Sequence, residues 1–234
     1  MLVRGMAMTQ NYYAQNLNST KLFQVYDTNI PRVQQYLNTE IDFVKSNIKN
    51  DDRVLEIGCG YGRILKRLSA AKVFFTGIDI SAESIKFGKE YLAGLDNIEL
   101  MEMDALKLNF SNPFDVVLCL QNGLSAVKGD PSALIGQTLK VLKPQGKAFF
   151  STYADTFWND RLTWFEEQAE KGLLGKIDYE QTKNGFIVCE DGFTAKTFTK
   201  EDLSHLGELS GFKYEITTVD DSSVFLVITK ESIK

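Results

Sequence analysis

The chain has 234 residues and a mass of 26.4 kDa, and its 44% hydrophobic and 24% charged residues are typical of a globular protein with a sizeable core. Its formal net charge of −5 argues against a broad nucleic-acid-binding surface, because such a surface depends on clustered lysine and arginine side chains. The length favours a single domain over residues 1–234. No apolar run approaches the ~20 residues that span a bilayer, so we expect no membrane partner.

The first part of the chain, residues 1–50, is predicted to form a helical cover. Helical character begins near residue 12, and Pro31 fits the first turn of a longer helix. The apolar positions of that helix recur at intervals of three and four residues, which is typical of one buried face. They are Val33, Tyr36, Leu37, Ile41, Val44 and Ile48.

From residue 53 the pattern changes to short apolar strands that alternate with helices. Such alternation predicts a parallel sheet that is covered on both faces. The predicted strands are Arg53–Ile57, Val73–Ile78, Ile98–Met101, Phe114–Leu120 and Lys147–Tyr153, and the helices cover about 62–70, 81–93 and 130–142. A last helix over Lys200–Ser210 precedes an antiparallel hairpin of Phe212–Val219 and Val224–Thr229.

Residues 154–198 interrupt the alternation and contain both tryptophans. A helix is followed by short segments separated by Asn184-Gly185 and Asp191-Gly192, which are strong tight-turn signals. We interpret the segment as an inserted helix with a small antiparallel meander. Because it leaves a strand at its carboxyl end, where open α/β sheets bind ligands, it fits a substrate lid. A surface ornament or a subunit contact is the alternative.

The most informative stretch runs from Val54 to Arg63, where a strand enters a turn with alternating glycines and then a helix. Glycines let the backbone turn tightly and approach a ligand, and the helix start adds a partial positive charge. This turn alone fits NAD, a flavin, another nucleotide or no ligand at all. In the dinucleotide fingerprint the third glycine falls where this chain has Arg63, whereas here the extra glycine is Gly62.

Three carboxylates follow successive strands and narrow the choice of ligand. Glu56, beside the turn, would repel a pyrophosphate but suits a ligand with a positive charge. Asp79, 23 positions later at the end of the second strand, is placed to accept hydrogen bonds from a ribose diol. Asp104, just past the third strand, is placed to accept one from an adenine amine. Helix capping by Asp79 and local loop bonding by Asp104 are the structural alternatives.

At this point the sequence resembles the class I S-adenosylmethionine-dependent methyltransferases. Five segments match the motifs of that family in the right order. They are residues 54–62 (VLEIGCGYG), 77–81 (GIDIS), 103–105 (MDA), 114–120 (FDVVLCL) and 139–147 (LKVLKPQGK). The resemblance covers residues 50–153 by motif and 199–230 by element order.

This resemblance implies a Rossmann-like, seven-stranded, mostly parallel sheet with an antiparallel last strand, and S-adenosylmethionine as cofactor. Glu56 and the turn at Gly58, Cys59 and Gly60 would hold the methionine part. Asp79 would take the ribose hydroxyls, with Ile80 against the adenine and Asp104 and Ala105 at the adenine edge. Leu120 and Gln121 would border the methionine and the sulfonium.

Candidates for acceptor binding come from aromatic and polar residues near the open edge of the sheet. They are Tyr12, Tyr13, Asn122, Tyr153, Phe157 and Trp158. The alternative for each is a packing role. The segment after the fourth strand, Gln121–Leu124, lacks the Asn/Asp-Pro-Pro-Tyr/Phe pattern of enzymes that methylate amino groups of bases or of glutamine.

The remaining chemistry-bearing residues are assigned structural roles. Cys59, Cys119 and Cys189 are odd in number and far apart, which fits neither a disulfide framework nor a paired metal site. This spacing leads us to expect no metal. Because Met1–Met8 does not have the long apolar core of a secretory signal, we expect a cytoplasmic location. His205, the single histidine, is predicted on a surface helix without partners for a catalytic triad.

The sequence thus favours methyl transfer to a small-molecule acceptor. A protein or RNA methyltransferase, and a regulatory protein that binds the cofactor without turnover, are the alternatives. A dinucleotide oxidoreductase is disfavoured by Glu56 and by the glycine spacing. No general acid or base is assigned, because a base is required only when the acceptor keeps its proton. No feature of the sequence specifies an oligomeric state.

Overall fold

The computed structural model describes residues 12–69 and 72–231, so residues 1–11 of the predicted helical cover lie outside it. The helices are α1 (Tyr12–Asn16), α2 (Ser19–Tyr26), α3 (Pro31–Lys45), α4 (Arg63–Leu68), α5 (Ala82–Tyr91), α6 (Gly123–Ala126), α7 (Pro131–Val141), α8 (Trp158–Glu170) and α9 (Lys200–Leu209). The strands are β1 (Arg53–Ile57), β2 (Phe74–Asp79), β3 (Ile98–Glu102), β4 (Phe114–Cys119), β5 (Leu142–Tyr153), β6 (Phe186–Val188), β7 (Thr194–Lys196), β8 (Lys213–Val219) and β9 (Ser223–Thr229).

The main sheet has seven strands in the order β3-β2-β1-β4-β5-β9-β8. The first five pair in parallel, and β9 runs antiparallel to both β5 and β8. The predicted α/β fold with an antiparallel last strand is therefore confirmed, as is the terminal hairpin. The strand order reverses between β1 and β4, and the carboxyl ends of strands at such a point are where open α/β sheets bind ligands.

Helices cover both faces of this sheet, as the alternating pattern predicts. On one face Leu134 of α7 and Leu203 of α9 pack on strand residues such as Val117. On the other face Ile41 of α3 and Leu65 of α4 pack on a second set of strand residues. Strands buried on both faces explain the continuous apolar runs in the sequence.

A third hydrophobic core joins two distant parts of the chain. Residues of the N-terminal helices, including Val25 and Tyr36, share this core with Trp164, Ile187 and Phe193 of the 154–198 segment. The indole Nε1 of Trp164 donates to the carbonyl oxygen of Val25 at 3.1 Å. We call residues 12–37 together with residues 154–198 the cap.

The inserted segment consists of α8 and a hairpin of β6 and β7, with Ile177 bridging to Cys189. Asn184 and Gly185 both have positive φ, at 52° and 77°, as the tight-turn signal predicts. Among residues 12–69 and 72–231, no helix is long and apolar enough to cross a membrane.

The largest difference from the predicted elements is the start of β5. This strand begins at Leu142 rather than Lys147, because Leu142 pairs with Phe114 before a register shift in the β4–β5 ladder. The intervening Pro144-Gln145-Gly146 is a turn signal in the sequence, which hides the early pairing.

Candidate functional site

A cavity of about 370 Å³ lies between the carboxyl ends of β1, β2 and β4 and the cap. Its volume is in the range of small-molecule sites. Leu17, Leu22 and Tyr26 of the cap contribute to its lining, and so do Arg63 and Lys128. All ten residues expected at the cofactor line it, namely Glu56, Gly58, Cys59, Gly60, Asp79, Ile80, Asp104, Ala105, Leu120 and Gln121.

The glycine turn after β1 is held against the end of β2. The amides of Gly58 and Cys59 both donate to the carbonyl oxygen of Ile78, at 2.8 and 2.9 Å. Gly60 has a φ of +54°, and a Cβ built there would lie 2.6 Å from Leu22 Cδ2. This position therefore favours glycine for its backbone conformation, and a Cβ there would also require the Leu22 side chain to shift.

Asp79 has two partners in the protein itself. One carboxylate oxygen, Oδ2, accepts from the backbone N–H of Gly60 at 2.9 Å, and the other accepts from the N–H of Ser81 at 2.8 Å. Burial raises its pKa, while these backbone hydrogen bonds lower it. Ser81 is the N-terminal capping residue of α5, and its hydroxyl accepts from the N–H of Ser84 at 3.1 Å. Asp79 thus orients both the glycine turn and the start of α5.

Glu56 is buried at the strand end, with 3% of its surface exposed. Its Oε2 atom has no hydrogen-bond partner among the described residues. Burial raises the pKa of this carboxyl to about 8, against a lowering effect of Arg63, and nearby Asp79 and Glu40 raise it further. A buried, unpartnered carboxylate oxygen favours a ligand with a positively charged hydrogen-bond donor.

Two charged residues near Glu56, namely Arg63 and Glu40, are not predicted as site residues from the sequence. Arg63 opens α4, and its Nη2 atom is buried without a hydrogen-bond partner in the described structure. Its guanidinium carbon lies 4.2 Å from the ring centroid of Tyr26. Glu40 of α3 is fully buried and does not line the cavity, but Arg63 and Glu56 are close enough to affect its charge. The available signal is its position, because it falls on the apolar stripe that carries Tyr36 and Val44.

Gln121 follows β4 in a strained backbone conformation, with a φ of +52°. Its N–H donates to the hydroxyl of Ser151 at 2.8 Å, which holds it at the carboxyl ends of β4 and β5. Its side-chain Nε2 is buried without a partner among the described residues. Non-glycine residues with positive φ concentrate at ligand sites, and the free amide lines the cavity.

Ile80 also lines the cavity and is 48% exposed, which leaves an apolar surface for a flat ring. Asp104 Oδ1 accepts from the N–H of Leu106 at 2.9 Å and so caps the short 3₁₀ helix Ala105–Lys107. The other oxygen, Oδ2, lies 3.5 Å from Nζ of the exposed Lys107. Because the capping bond uses Oδ1 alone, it is compatible with a ligand contact through Oδ2.

The residues predicted for the acceptor are held elsewhere. Tyr12 donates to Asp191, and its ring centroid lies 5.1 Å from that of Phe193. Tyr153 is buried with its ring 4.4 Å from the Arg161 guanidinium carbon. None of the predicted residues whose side chains the structure describes lines the cavity; these are Tyr12, Asn122, Tyr153, Phe157 and Trp158. The side chain of Tyr13 lies outside the described structure.

Asn122 connects the sheet to the inserted hairpin. Its Nδ2 donates to the carbonyl oxygen of Lys196, and its Oδ1 accepts from the hydroxyl of Thr152, both at 2.9 Å. The hydroxyl of Ser125 accepts from the N–H of Lys196 at the same distance, and Lys128 Nζ lies 3.5 Å from the carbonyl oxygen of Thr194. The hairpin is therefore fixed to the segment after β4.

Asp115, at the start of β4, and the buried cysteines have structural roles. Asp115 accepts from the N–H of Arg53 at 2.8 Å and binds Lys143 at the amino end of the sheet. Burial raises the pKa of Cys59 and of Cys119, which keeps both as thiols. In the described ranges no group of three His, Cys, Asp or Glu side chains is placed to hold a metal ion.

Comparison with known proteins decides the family. The model of a family described as a methyltransferase domain matches residues 54–146. A ubiquinone biosynthesis O-methyltransferase of Xylella fastidiosa (strain 9a5c) is 30% identical over 181 residues, which are 75% of this chain and 70% of that relative. The chain belongs to the class I S-adenosylmethionine-dependent methyltransferases.

Solved structures support the same fold for this methyltransferase. The PH0226 protein from Pyrococcus horikoshii OT3 aligns with a TM-score of 0.63 at 25% identity, over 95% of this chain and 99% of that one. A methyltransferase from Methanosarcina mazei aligns with a TM-score of 0.61 at 23% identity, over 82% of this chain and 98% of that one.

The cavity of the methyltransferase fits S-adenosylmethionine, the cofactor of its family. The methionine part carries an ammonium and a carboxylate, and buried atoms without partners among the described residues, on Glu56 and Arg63, line the cavity. Gly58 of the glycine turn has open space beside its backbone, and the half-exposed Ile80 offers an apolar contact in the same cavity.

Proposed function

We propose that this enzyme transfers a methyl group from S-adenosylmethionine to a small-molecule acceptor, in the cavity between the sheet and the cap. The observation that carries the proposal is the set of polar atoms on Glu56, Arg63 and Gln121 that are buried without partners among the described residues, because all three residues line the glycine-walled cavity. Buried polar groups are almost always satisfied, so three such atoms around one cavity indicate a polar ligand.

The proposed roles of the residues follow from their positions. Glu56 accepts from the ammonium of the methionine part, and Arg63 binds its carboxylate as a charge-assisted donor. Asp79 accepts from the ribose hydroxyls while it holds the turn at Gly60. The remaining contacts are proposed for Gly58, Cys59, Ile80, Asp104, Ala105, Leu120 and Gln121.

The bound cofactor supplies a methyl group that is already activated on a sulfonium. The protein therefore has to place the nucleophilic atom of the acceptor in line with the bond that breaks, and such positioning contributes up to ~7–11 kcal/mol in favourable cases. Gln121 and Leu120, at the end of β4, are the proposed wall of this region. No residue is proposed as a general base.

A small acceptor is favoured over a protein or an RNA by the cap. Leu17, Leu22 and Tyr26 cover the cavity from one side, and the hairpin is bonded to the segment after β4 on the other. The relative in Xylella fastidiosa is named for O-methylation in ubiquinone biosynthesis, which supports a small acceptor here. The acidic balance of the chain disfavours RNA.

The 154–198 segment, a candidate substrate lid by its position in the chain, supports the cover of the cavity from behind: its residues do not line the cavity, but its apolar side chains share one core with the N-terminal helices that do. We also infer a reducing compartment, the cytoplasm, because all three cysteines are buried free thiols.

The experiment is a transfer assay with S-adenosylmethionine labelled on its methyl carbon. Pools of small metabolites, total protein and total RNA are offered separately, and Asp79→Ala is the matched control. Label in the metabolite pool alone, lost in the control, supports the proposal. Label in protein or RNA alone would replace the acceptor class.

A further inference from the structure

Lys128 is a charged residue of the cavity that the proposed function does not use. It lies just past α6, and its side chain is partly buried where it lines the cavity. The ion pairs of the described residues do not include it. Its Nζ lies 3.5 Å from the carbonyl oxygen of Thr194, which is longer than the ~2.7–3.2 Å of an ordinary N–H···O hydrogen bond. Burial lowers the pKa of this ammonium, as expected where no anion compensates for the lost water.

The cofactor accounts for the other charged residues of the cavity. Among the described residues, the charged side chains that line it are Glu56, Arg63, Asp79, Asp104 and Lys128. In the proposed function the first four contact the ammonium, the carboxylate, the ribose and the adenine edge of the cofactor. The carboxylate is the one anionic group of S-adenosylmethionine, and Arg63 is its proposed partner. Lys128 therefore has no counterpart on the cofactor.

The wall that carries Lys128 is the wall at which the acceptor has to lie. Gln121, Gly123 and Lys128 line the cavity from the segment after β4, and Gln121 borders the sulfonium in the proposed function. The helix between them, α6, has four residues and a length of about 6 Å. One small molecule can therefore place its nucleophilic atom beside Gln121 and a second group beside Lys128.

Contacts to the inserted hairpin hold this wall in place. Lys196 of the hairpin donates its N–H to the hydroxyl of Ser125, and its carbonyl oxygen accepts from Nδ2 of Asn122, both at 2.9 Å. The backbone that carries Lys128 is thus fixed beside the cavity. An ammonium has three N–H donors, and the distant carbonyl of Thr194 faces only one of them, so donors remain for a ligand.

We propose that the methyl acceptor carries a carboxylate, separate from its nucleophilic atom, and that the ammonium of Lys128 binds this carboxylate. The inference rests on the proposed function and names the acceptor class within it. A charge-assisted hydrogen bond in partly buried surroundings is stronger than one between neutral groups in water. Because the chain as a whole has a net charge of −5, the attraction for an anion has to be local.

A kinetic consequence follows from the distance between the carboxylate and the reacting atoms. The carboxylate does not change its charge during methyl transfer, so Lys128 contributes equally to binding of the acceptor and of the transition state. Loss of the ammonium should therefore raise KM for the acceptor and leave kcat nearly unchanged. Affinity for the cofactor should stay that of the wild type.

The first test separates a small-metabolite extract on an anion exchanger at neutral pH. The retained anionic fraction and the flow-through of neutral and cationic compounds are each incubated with the enzyme and methyl-labelled S-adenosylmethionine. We expect label in compounds of the retained fraction, and treatment of that fraction with phosphatase should not reduce it, because a carboxylate is not hydrolysed. Label in the flow-through alone, or label lost after phosphatase treatment, would overturn the proposal.

The second test compares three variants on the retained fraction. Lys128→Met removes the charge and keeps the apolar stem, Lys128→Arg keeps the charge, and Lys140→Met makes the same exchange at an exposed position of α7. At limiting dilution the rate of Lys128→Met should fall about tenfold or more and should approach the wild-type rate as the fraction is concentrated. Lys128→Arg should retain most of the rate, and Lys140→Met all of it.

Calorimetry of S-adenosylmethionine binding separates the outcomes. A wild-type Kd in Lys128→Met, together with the raised KM, supports the proposal. If Lys128→Met keeps the wild-type rate at every dilution, or weakens cofactor binding as much as it slows transfer, the role of Lys128 is refuted while the proposed function stands. If the wild type does not bind the cofactor, or labels neither small-molecule fraction, the proposed function itself fails.

Discussion

The carboxylate of Asp79 accepts a hydrogen bond from the backbone N–H of Gly60 at 2.9 Å, so the end of β2 fixes the turn that follows β1. The turn is also held by Ile78, whose carbonyl oxygen accepts from the amides of Gly58 and Cys59. Two motifs that are separate in the sequence are therefore one structural unit, and changes at Asp79 act on the turn as well as on a ligand.

The first prediction separates these two effects at Asp79. Asp79→Ala removes both the proposed ribose acceptor and the support of Gly60, so cofactor affinity should fall tenfold or more. Asp79→Asn keeps an oxygen that can accept from Gly60, and its affinity should lie between the two. Calorimetric titration measures both. Wild-type affinity in a folded Asp79→Ala variant would refute the assignment.

The second prediction compares two neighbours after β4. Gln121→Ala removes a side chain that lines the cavity and has an unpartnered amide, so it should weaken cofactor binding with little loss of stability. Asn122→Ala removes a tether and leaves the buried Thr152 hydroxyl without that acceptor, which should cost about 1–3 kcal/mol of unfolding free energy.

Cofactor affinity of Asn122→Ala should stay within a few fold of the wild type. Urea denaturation and calorimetry on the same two variants give the comparison. The opposite pattern, with binding lost in Asn122→Ala alone, would mean that the tether rather than the cavity wall controls the site.

The third prediction concerns the stability of the ligand-free protein between pH 5 and pH 8. Burial raises the pKa of Glu40 to about 7 and of Glu56 to about 8, from the ordinary value of 4.5. The folded state then binds more protons than the unfolded chain, so the free energy of unfolding should fall as pH rises through this window.

Glu40 alone should contribute a fall of about 2–3 kcal/mol, and Glu40→Gln should flatten the profile by that amount. Chemical denaturation at several pH values tests this, with the exposed Glu83→Gln as control. A free energy of unfolding that rises over the same window in the wild type would show that these carboxyls are not buried in the ligand-free protein.

The fourth prediction concerns the cap. Ile187 of the hairpin is fully buried in the core that it shares with the N-terminal helices. Ile187→Ala should therefore cost about 2–5 kcal/mol and lower the unfolding midpoint of the whole protein in a single transition. The exposed neighbour Phe186→Ala is the control. A separate low-stability transition confined to the cap would favour the mobile-lid interpretation instead.

The sequence is sufficient for the sheet and the glycine turn because both depend on local patterns. Strands buried on both faces give continuous apolar runs, and the turn after β1 favours glycine at Gly60 for its φ of +54°. The residues that these patterns place at strand ends, such as Glu56 and Asp79, line the cavity as expected.

Contacts between residues of distant segments cannot be predicted from such local patterns. Glu40 lies on a helix whose apolar stripe predicts only burial, and its proximity to Arg63 and Gln121 depends on how α3 crosses the sheet. Likewise the sequence pattern predicts Asn122 and Tyr153 at the site. In the structure the side chain of Asn122 bonds to the hairpin and that of Tyr153 packs against Arg161.

Calorimetric titration of the wild-type protein with S-adenosylmethionine, and separately with NAD, identifies the ligand that this cavity binds. We expect saturable binding of S-adenosylmethionine at one site, weakened tenfold or more in Asp79→Ala, and no saturable binding of NAD. Binding of NAD in place of S-adenosylmethionine, or binding of S-adenosylmethionine that Asp79→Ala leaves unchanged, would contradict the assignment of this cavity.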